Sequence, residues 1–266
     1  MDYLMYYGMS ENPFDKTSTT IVETVDHKEM SFRLRYLTET LGIGLFTGHS
    51  GAGKTLILRD FARHLNPNRF KVYYLPLSTV TVGDFYNQLA VALGLEPAFR
   101  KATKFKQIQE RIAELYDIEH VIPMFILDEA QYLSGPIFNE LVLLTNFGMD
   151  GQRKCIFVLS GLPILAQMLQ RAQFEAFRQR ITTNYQVIGM AYEETRRYIR
   201  EKFAAVGVHD EILGEEAVKT ILNSTGGSLR RLDLIVTQSL IIGAKQDKRI
   251  IDNEVIYQTN SELALI

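Results

Sequence analysis

Gly48-His49-Ser50-Gly51-Ala52-Gly53-Lys54-Thr55 matches G-x-x-x-x-G-K-[ST] at every fixed position. The spacing serves one chemistry. Glycines let backbone N–H groups turn inward around phosphate oxygens, the lysine neutralises β/γ charge, and the hydroxyl after it can reach Mg²⁺. The surroundings are those the pattern requires. An apolar run at 42–47 leads in as a short strand, and 55–65 reads as a helix stopped by Asn66-Pro67-Asn68. That helix adds the positive end of its dipole to the loop. The stretch predicts a nucleotide-phosphate site made by all eight residues and a fold built from strand–loop–helix units.

Working outward, 71–77 is rich in aromatic and branched residues and reads as a strand, as do the apolar runs 121–127, 155–159 and 182–188. Helical spacing marks 27–40 (Met30, Leu34, Leu37), 84–93, 105–116 and 136–145, while residues 1–20 carry turn chemistry and read as an irregular opening segment. Apolar rather than alternating strands, interleaved with helices, predict an α/β fold with a mostly parallel sheet covered on both faces. After Gly189 the pattern turns helical, at 192–206, 214–223 and 229–244. The expected organisation is an α/β domain over 1–189, opened by the segment 1–25, and a small all-helical domain over 190–266.

The apolar strand 121–127 runs into Asp128-Glu129. An aspartate there is placed to hold Mg²⁺, and a glutamate beside it to polarise an attacking water. With the phosphate loop, the pair predicts an ATP-hydrolysing site with ATP and Mg²⁺ as cofactors, Thr55 and Asp128 on the metal, and Lys54 and Glu129 in catalysis.

Composition narrows the partners. Twenty-nine basic against 31 acidic residues give a net charge of −2, which excludes a wholly basic nucleic-acid coat and confines any nucleic-acid contact to a local patch. The single cysteine, Cys155, excludes an internal disulfide and a cysteine-based zinc site, and is expected in the core. An acid at position 2 argues against a signal peptide, and no apolar run approaches the roughly 18–20 residues of a membrane span. The expectation is a cytoplasmic protein without a membrane partner.

The chain resembles the AAA+ ATPases, most of all the ExeA-like group and the transposon-encoded target-selection ATPases. The resemblance is carried by residues 7–14 (Tyr-Gly-Met-Ser-Glu-Asn-Pro-Phe), 48–55, 126–131 (Ile-Leu-Asp-Glu-Ala-Gln), 159–163 (Leu-Ser-Gly-Leu-Pro), 177–181 (Phe-Arg-Gln-Arg-Ile) and 226–231 (Gly-Gly-Ser-Leu-Arg-Arg). It implies a five-stranded parallel sheet with a C-terminal helical lid, and rings or helical filaments with ATP between subunits. By position it makes Arg178 the finger that reaches a neighbour's ATP, with Arg180 as rival and Arg171, seven residues earlier, sharing the face of Arg178 if the segment is one helix. It makes Arg230 the sensor of the γ-phosphate, with Arg231 as fallback. Asn12-Pro13-Phe14 corresponds to a segment near the adenine or to a loop packing its aromatic on the core. Leu162 stands where members often carry a polar residue, and Ser160 is the candidate substitute; the departure bears on hydrolysis rate, which is expected to be slow and stimulated by DNA or a partner.

Residues 99–106 (Phe-Arg-Lys-Ala-Thr-Lys-Phe-Lys) hold four cations and no acid. Lys101, Thr103, Lys104 and Lys106 are candidate contacts to a DNA backbone, against the alternative of a solvated helix start, where cations oppose the dipole. In the resembling ATPases this stretch and the loop at Thr79-Val80-Thr81 line a channel that tracks DNA. The leading functional expectation is an ATP-dependent regulator of transposition. It would assemble on duplex DNA independently of base sequence and act with a transposase and a target-selection protein. An ExeA-like secretion ATPase is the first alternative, disfavoured by a chain ending at Ile266 without a membrane or wall-binding region. A helicase-loader-type adaptor is the second.

Overall fold

A computed structural model describes residues 2–15, 18, 20–76, 81–149 and 151–264. In chain order the elements are α1 (Tyr3–Tyr7), α2 (Val25–Thr40), β1 (Gly42–Gly48), α3 (Lys54–His64), β2 (Phe70–Pro76), α4 (Val82–Ala92), α5 (Lys101–Asp117), β3 (Ile122–Asp128), α6 (Gly135–Leu144), β4 (Ile156–Gly161), α7 (Pro163–Leu169), α8 (Glu175–Arg178), β5 (Ile181–Val187), α9 (Tyr192–Ala205), α10 (Glu215–Thr225), α11 (Leu229–Lys245) and α12 (Asn253–Leu263).

The backbone divides into two compact units. The larger holds Glu29–His49 and Lys54–Val187. Its five strands lie in the order β2-β3-β4-β1-β5, and every pairing is parallel. The strands β1, β3 and β4 are buried along their whole length, which is why their sequences are apolar without alternation. On one face Leu45, Tyr73, Phe125, Leu127, Phe157 and Leu159 pack with residues of α4, α5 and α6. Phe125 is stacked between Tyr73 (centroids 5.2 Å) and Phe157 (4.8 Å). The side chains of Leu37 of α2 and Phe46 of β1 both close on Gly44, where a Cβ would meet them at 2.7 and 2.8 Å. Cys155 is buried, and burial pushes its thiol up to about 12, the core role expected of it.

The smaller unit holds Met1–Lys28, Ser50–Gly53 and Ile188–Ile266. Its core joins Tyr6, Tyr7, Phe14 and Val22 from the start of the chain to the apolar faces of α9, α10, α11 and α12. The opening segment read as irregular therefore forms a short helix, α1, capped by the Asp2 carboxylate, and Tyr7 Oη donates to Lys248 O at 2.8 Å. Phe14 packs edge-on to Phe203 (5.2 Å), and the Lys202 ammonium donates to Pro13 O (3.0 Å) and Thr20 O (2.7 Å). Lys101 and Lys104, which precede the helix expected from 105, belong to the first turn of α5, and Arg100 is its N-cap. Arg171, Arg178 and Arg180 do not share one helix, because a 3-10 turn (Ala172–Phe174) separates α7 from the four-residue α8. The shared-face relation of Arg171 and Arg178 does not apply.

Candidate nucleotide site

In parallel α/β sheets, loops at the carboxyl ends of the strands carry the chemistry. Two central strands do so here. At the end of β1, Gly51 (φ +77°) and Gly53 (φ +98°) take left-handed conformations that let the loop fold around a ligand. Lys54, the first residue of α3, is buried and its ammonium donates to Gly48 O (2.7 Å) and His49 O (3.0 Å). The two exposed residues between, His49 and Ser50, are free positions of the motif, and Ala52 is buried.

At the end of β3, Asp128 is buried and fully engaged. Its Oδ2 accepts from Thr55 Oγ1 (2.9 Å) and from Tyr74 Oη (3.1 Å), and its Oδ1 from the Glu129 N–H (3.0 Å). Tyr74, on β2, is a site residue that the sequence reading missed. Burial, with the Asp128 charge beside it, pushes its hydroxyl up to about 12. Glu129 follows with φ +53°, a left-handed conformation that a non-glycine residue adopts at a cost. This sharp exit turns its exposed carboxylate away from the strand into the 3-10 turn Ala130–Tyr132, where the fully buried Ala130 anchors the bend.

Gln131 is the second residue that the sequence reading did not assign. Its Nε2 donates to Glu129 Oε2 at 2.6 Å, and its Oε1 accepts from the Leu162 N–H at 3.0 Å. Ser160, on β4 opposite Phe46 of β1, is wholly buried, and its Oγ has no hydrogen-bond partner among the described residues.

These groups fit a nucleotide with Mg²⁺. Thr55 Oγ1 and Asp128 Oδ2 converge to 2.9 Å, and no group of three or more His, Cys, Asp or Glu converges among the described residues. Mg²⁺ is bound in that way: one or two protein oxygens, with waters and substrate phosphates completing the octahedron.

Within the smaller unit, the Arg230 N–H donates to Gly51 O (3.1 Å), and Ser228, the N-cap of α11, lies so close to Gly51 that a Cβ there would sit 2.4 Å from its Oγ. Arg230 and Arg231 are exposed. Arg178 is part-buried and its Nη1 donates to Leu169 O (2.6 Å) and Arg171 O (2.8 Å).

The basic cluster is more occupied than its sequence indicates. Lys101 pairs with the buried Glu140 (2.5 Å), which also accepts from Tyr86 Oη (2.6 Å). Lys104 is buried and donates to Asn87 Oδ1 (2.7 Å). Lys106 pairs loosely with Glu110 (3.6 Å) and both are exposed, as is Thr103. The counter-groups on α4 and α6 explain how cations sit at a helix start against its dipole. The Thr81 hydroxyl caps α4 through a reciprocal pair of bonds with Asp84; Thr79 and Val80 lie outside the described residues.

Comparison with known proteins bears on the family and the fold. A family model described as an AAA domain matches residues 37–169, half of the chain. General secretion pathway protein A of Aeromonas hydrophila is 26% identical over 265 residues, covering 95% of this chain and 47% of that protein. The ATP-dependent target DNA activator B of Escherichia phage Mu is 28% identical over 139 residues, covering 52% of this chain and 41% of that protein. The chain thus spans about half the length of the curated relatives it matches. Cdc6p from Pyrobaculum aerophilum shares the fold with a TM-score of 0.70 at 14% identity, over 96% of this chain and 71% of that one. No helix among the described residues is long and apolar enough to cross a membrane.

Proposed function

The chain belongs to the AAA-domain family, and from that premise we propose that it hydrolyses ATP to switch an assembly on DNA. The observation that carries the reading is the convergence of Thr55 Oγ1, Tyr74 Oη and the Glu129 N–H on the buried Asp128 carboxylate at the end of β3.

In this reading the backbone N–H groups of Gly48–Thr55 and the Lys54 ammonium hold the triphosphate, and Lys54 exchanges the carbonyls of Gly48 and His49 for phosphate oxygens. Thr55 and Asp128 would hold Mg²⁺, which would supply neutralisation of charge on the transferring phosphate. Glu129 accepts a proton from water as its oxygen bonds to the γ-phosphorus, and the β–γ bridging oxygen leaves with ADP. Ser160 and Arg230 report on the γ-phosphate; the bond from the Arg230 backbone to Gly51 supports the second. Arg178 reaches the nucleotide of a neighbouring copy, releasing the carbonyls of Leu169 and Arg171 to do so, with Arg180 as its alternative. The functional boundary lies near residue 190.

The DNA-directed role rests on the likeness to a target DNA activator and on the exposed cations Arg100, Lys101 and Lys106 at the start of α5. Copies would assemble on duplex DNA as a ring or filament, through backbone contacts with the exposed Lys101, Thr103, Lys106 and Thr81, while Lys104, buried on Asn87, is not available for such a contact. The assembly would act with a transposase and a target-selection protein. One observation favours a second reading, a secretion-type ATPase: the likeness to general secretion pathway protein A runs along 95% of the chain.

Binding of a fluorescent DNA duplex with ATP–Mg²⁺, with ADP and without nucleotide, across a salt series, separates the two. ATP-dependent binding that weakens steeply with salt and disappears in Lys54→Ala supports the DNA role. Absence of binding under every nucleotide removes it and favours the secretion-type reading.

A further inference from the structure

The Gln131 amide is oriented by its surroundings. Its Oε1 accepts from the Leu162 N–H (3.0 Å) and its Nε2 donates to Glu129 Oε2 (2.6 Å). Rotating the amide by 180° would set an NH₂ group against an N–H donor and a carbonyl oxygen against a carboxylate, so one orientation is enforced. Gly161 makes the bridge possible: a Cβ at that position would lie 2.6 Å from Gln131 Oε1. The exposed Glu129 carboxylate, on a left-handed backbone, is thus tied by one oxygen, and its Oε1 is left to accept from water.

Leu162 itself presents only an apolar side chain, but its backbone N–H at the end of β4 sets the amide. We propose that Gln131 is the positioning residue for Glu129, coupling the base to the end of β4 through the Leu162 peptide in place of a polar side chain at position 162. The inference rests on the reading of Glu129 as the base of ATP hydrolysis.

The test uses the full chain and two variants, Gln131→Met, which keeps length without hydrogen bonds, and Gln131→Glu, which places an acceptor and a like charge where a donor is needed. Turnover is read beside the Kd of a fluorescent ATP analogue and the thermal midpoint. A charge-assisted orienting bond predicts a kcat lower by about ten- to a hundredfold in Gln131→Met, and at least as low in Gln131→Glu, with the Kd unchanged. An independent readout needs no nucleotide: in ¹⁵N-labelled protein the Gln131 side-chain amide pair shifts on Glu129→Ala.

Unchanged kcat in both variants beside an inactive Glu129→Gln overturns the proposal alone. So does a parallel loss of kcat, nucleotide affinity and thermal midpoint, which marks a structural role, or an amide pair indifferent to Glu129→Ala. Wild-type turnover in Glu129→Gln overturns the base assignment and the proposal together.

Discussion

Asp233 on α11 carries the sharpest stability prediction. Its Oδ1 accepts from Tyr198 Oη of α9 (2.9 Å). Burial pushes its carboxyl up to about 6 from 3.8, against the opposing pull of the Tyr198 bond and the Lys202 charge. The folded state therefore binds this proton more tightly than the unfolded chain. Between the two values the folded protein carries more protons, so stability falls as pH rises through that window and stays reduced above it. The shift corresponds to about 3 kcal/mol at most, at about 1.4 kcal/mol for each pH unit. Asp233→Asn keeps an oxygen for Tyr198 and cannot ionise. Urea unfolding of both proteins from pH 4 to pH 7 should show the variant gaining on the wild type by about 2 kcal/mol over that range. A stability difference flat across the window would refute the reasoning, as would one with the opposite slope.

Phe125→Ala empties the stack between Tyr73 and Phe157 and should cost about 3–5 kcal/mol in denaturant unfolding. Lys106→Glu should weaken DNA binding at every sequence tested and lower the salt slope by about one or more. Lys104→Met should lower the thermal midpoint, because Lys104 is buried on Asn87. Removal of Mg²⁺ by chelation should abolish turnover, and Asp128→Asn, which keeps the shape but not the charge, should lower the metal affinity read by Mg²⁺ titration.

The phosphate loop and the Asp128-Glu129 pair were legible because their spacing is dictated by backbone chemistry within a few residues of chain. The buried central strands were legible because a strand covered on both faces cannot alternate. Contacts closing over long sequence separations were not. Tyr7 meets Lys248, Lys202 meets Pro13 and Thr20, and no periodicity in residues 1–20 announces a partner so far along the chain. Nor does a local pattern show that Lys101 is matched by Glu140, 39 positions away, so the cluster looked more open than it is. Tyr74 reaches Asp128 only because β2 and β3 pair in register. Gln131 could have been suspected from its place two residues after Glu129; its partner at Leu162 requires the fold.

The central claim is that Glu129 and Lys54 serve one hydrolytic site. Its most direct test is ATP turnover and ATP-analogue binding in wild type, Lys54→Ala and Glu129→Gln, with Mg²⁺ and duplex DNA present. The account predicts turnover in wild type only, nucleotide binding retained in Glu129→Gln, and binding lost in Lys54→Ala. Turnover surviving in Glu129→Gln, or binding undiminished in Lys54→Ala, would contradict it.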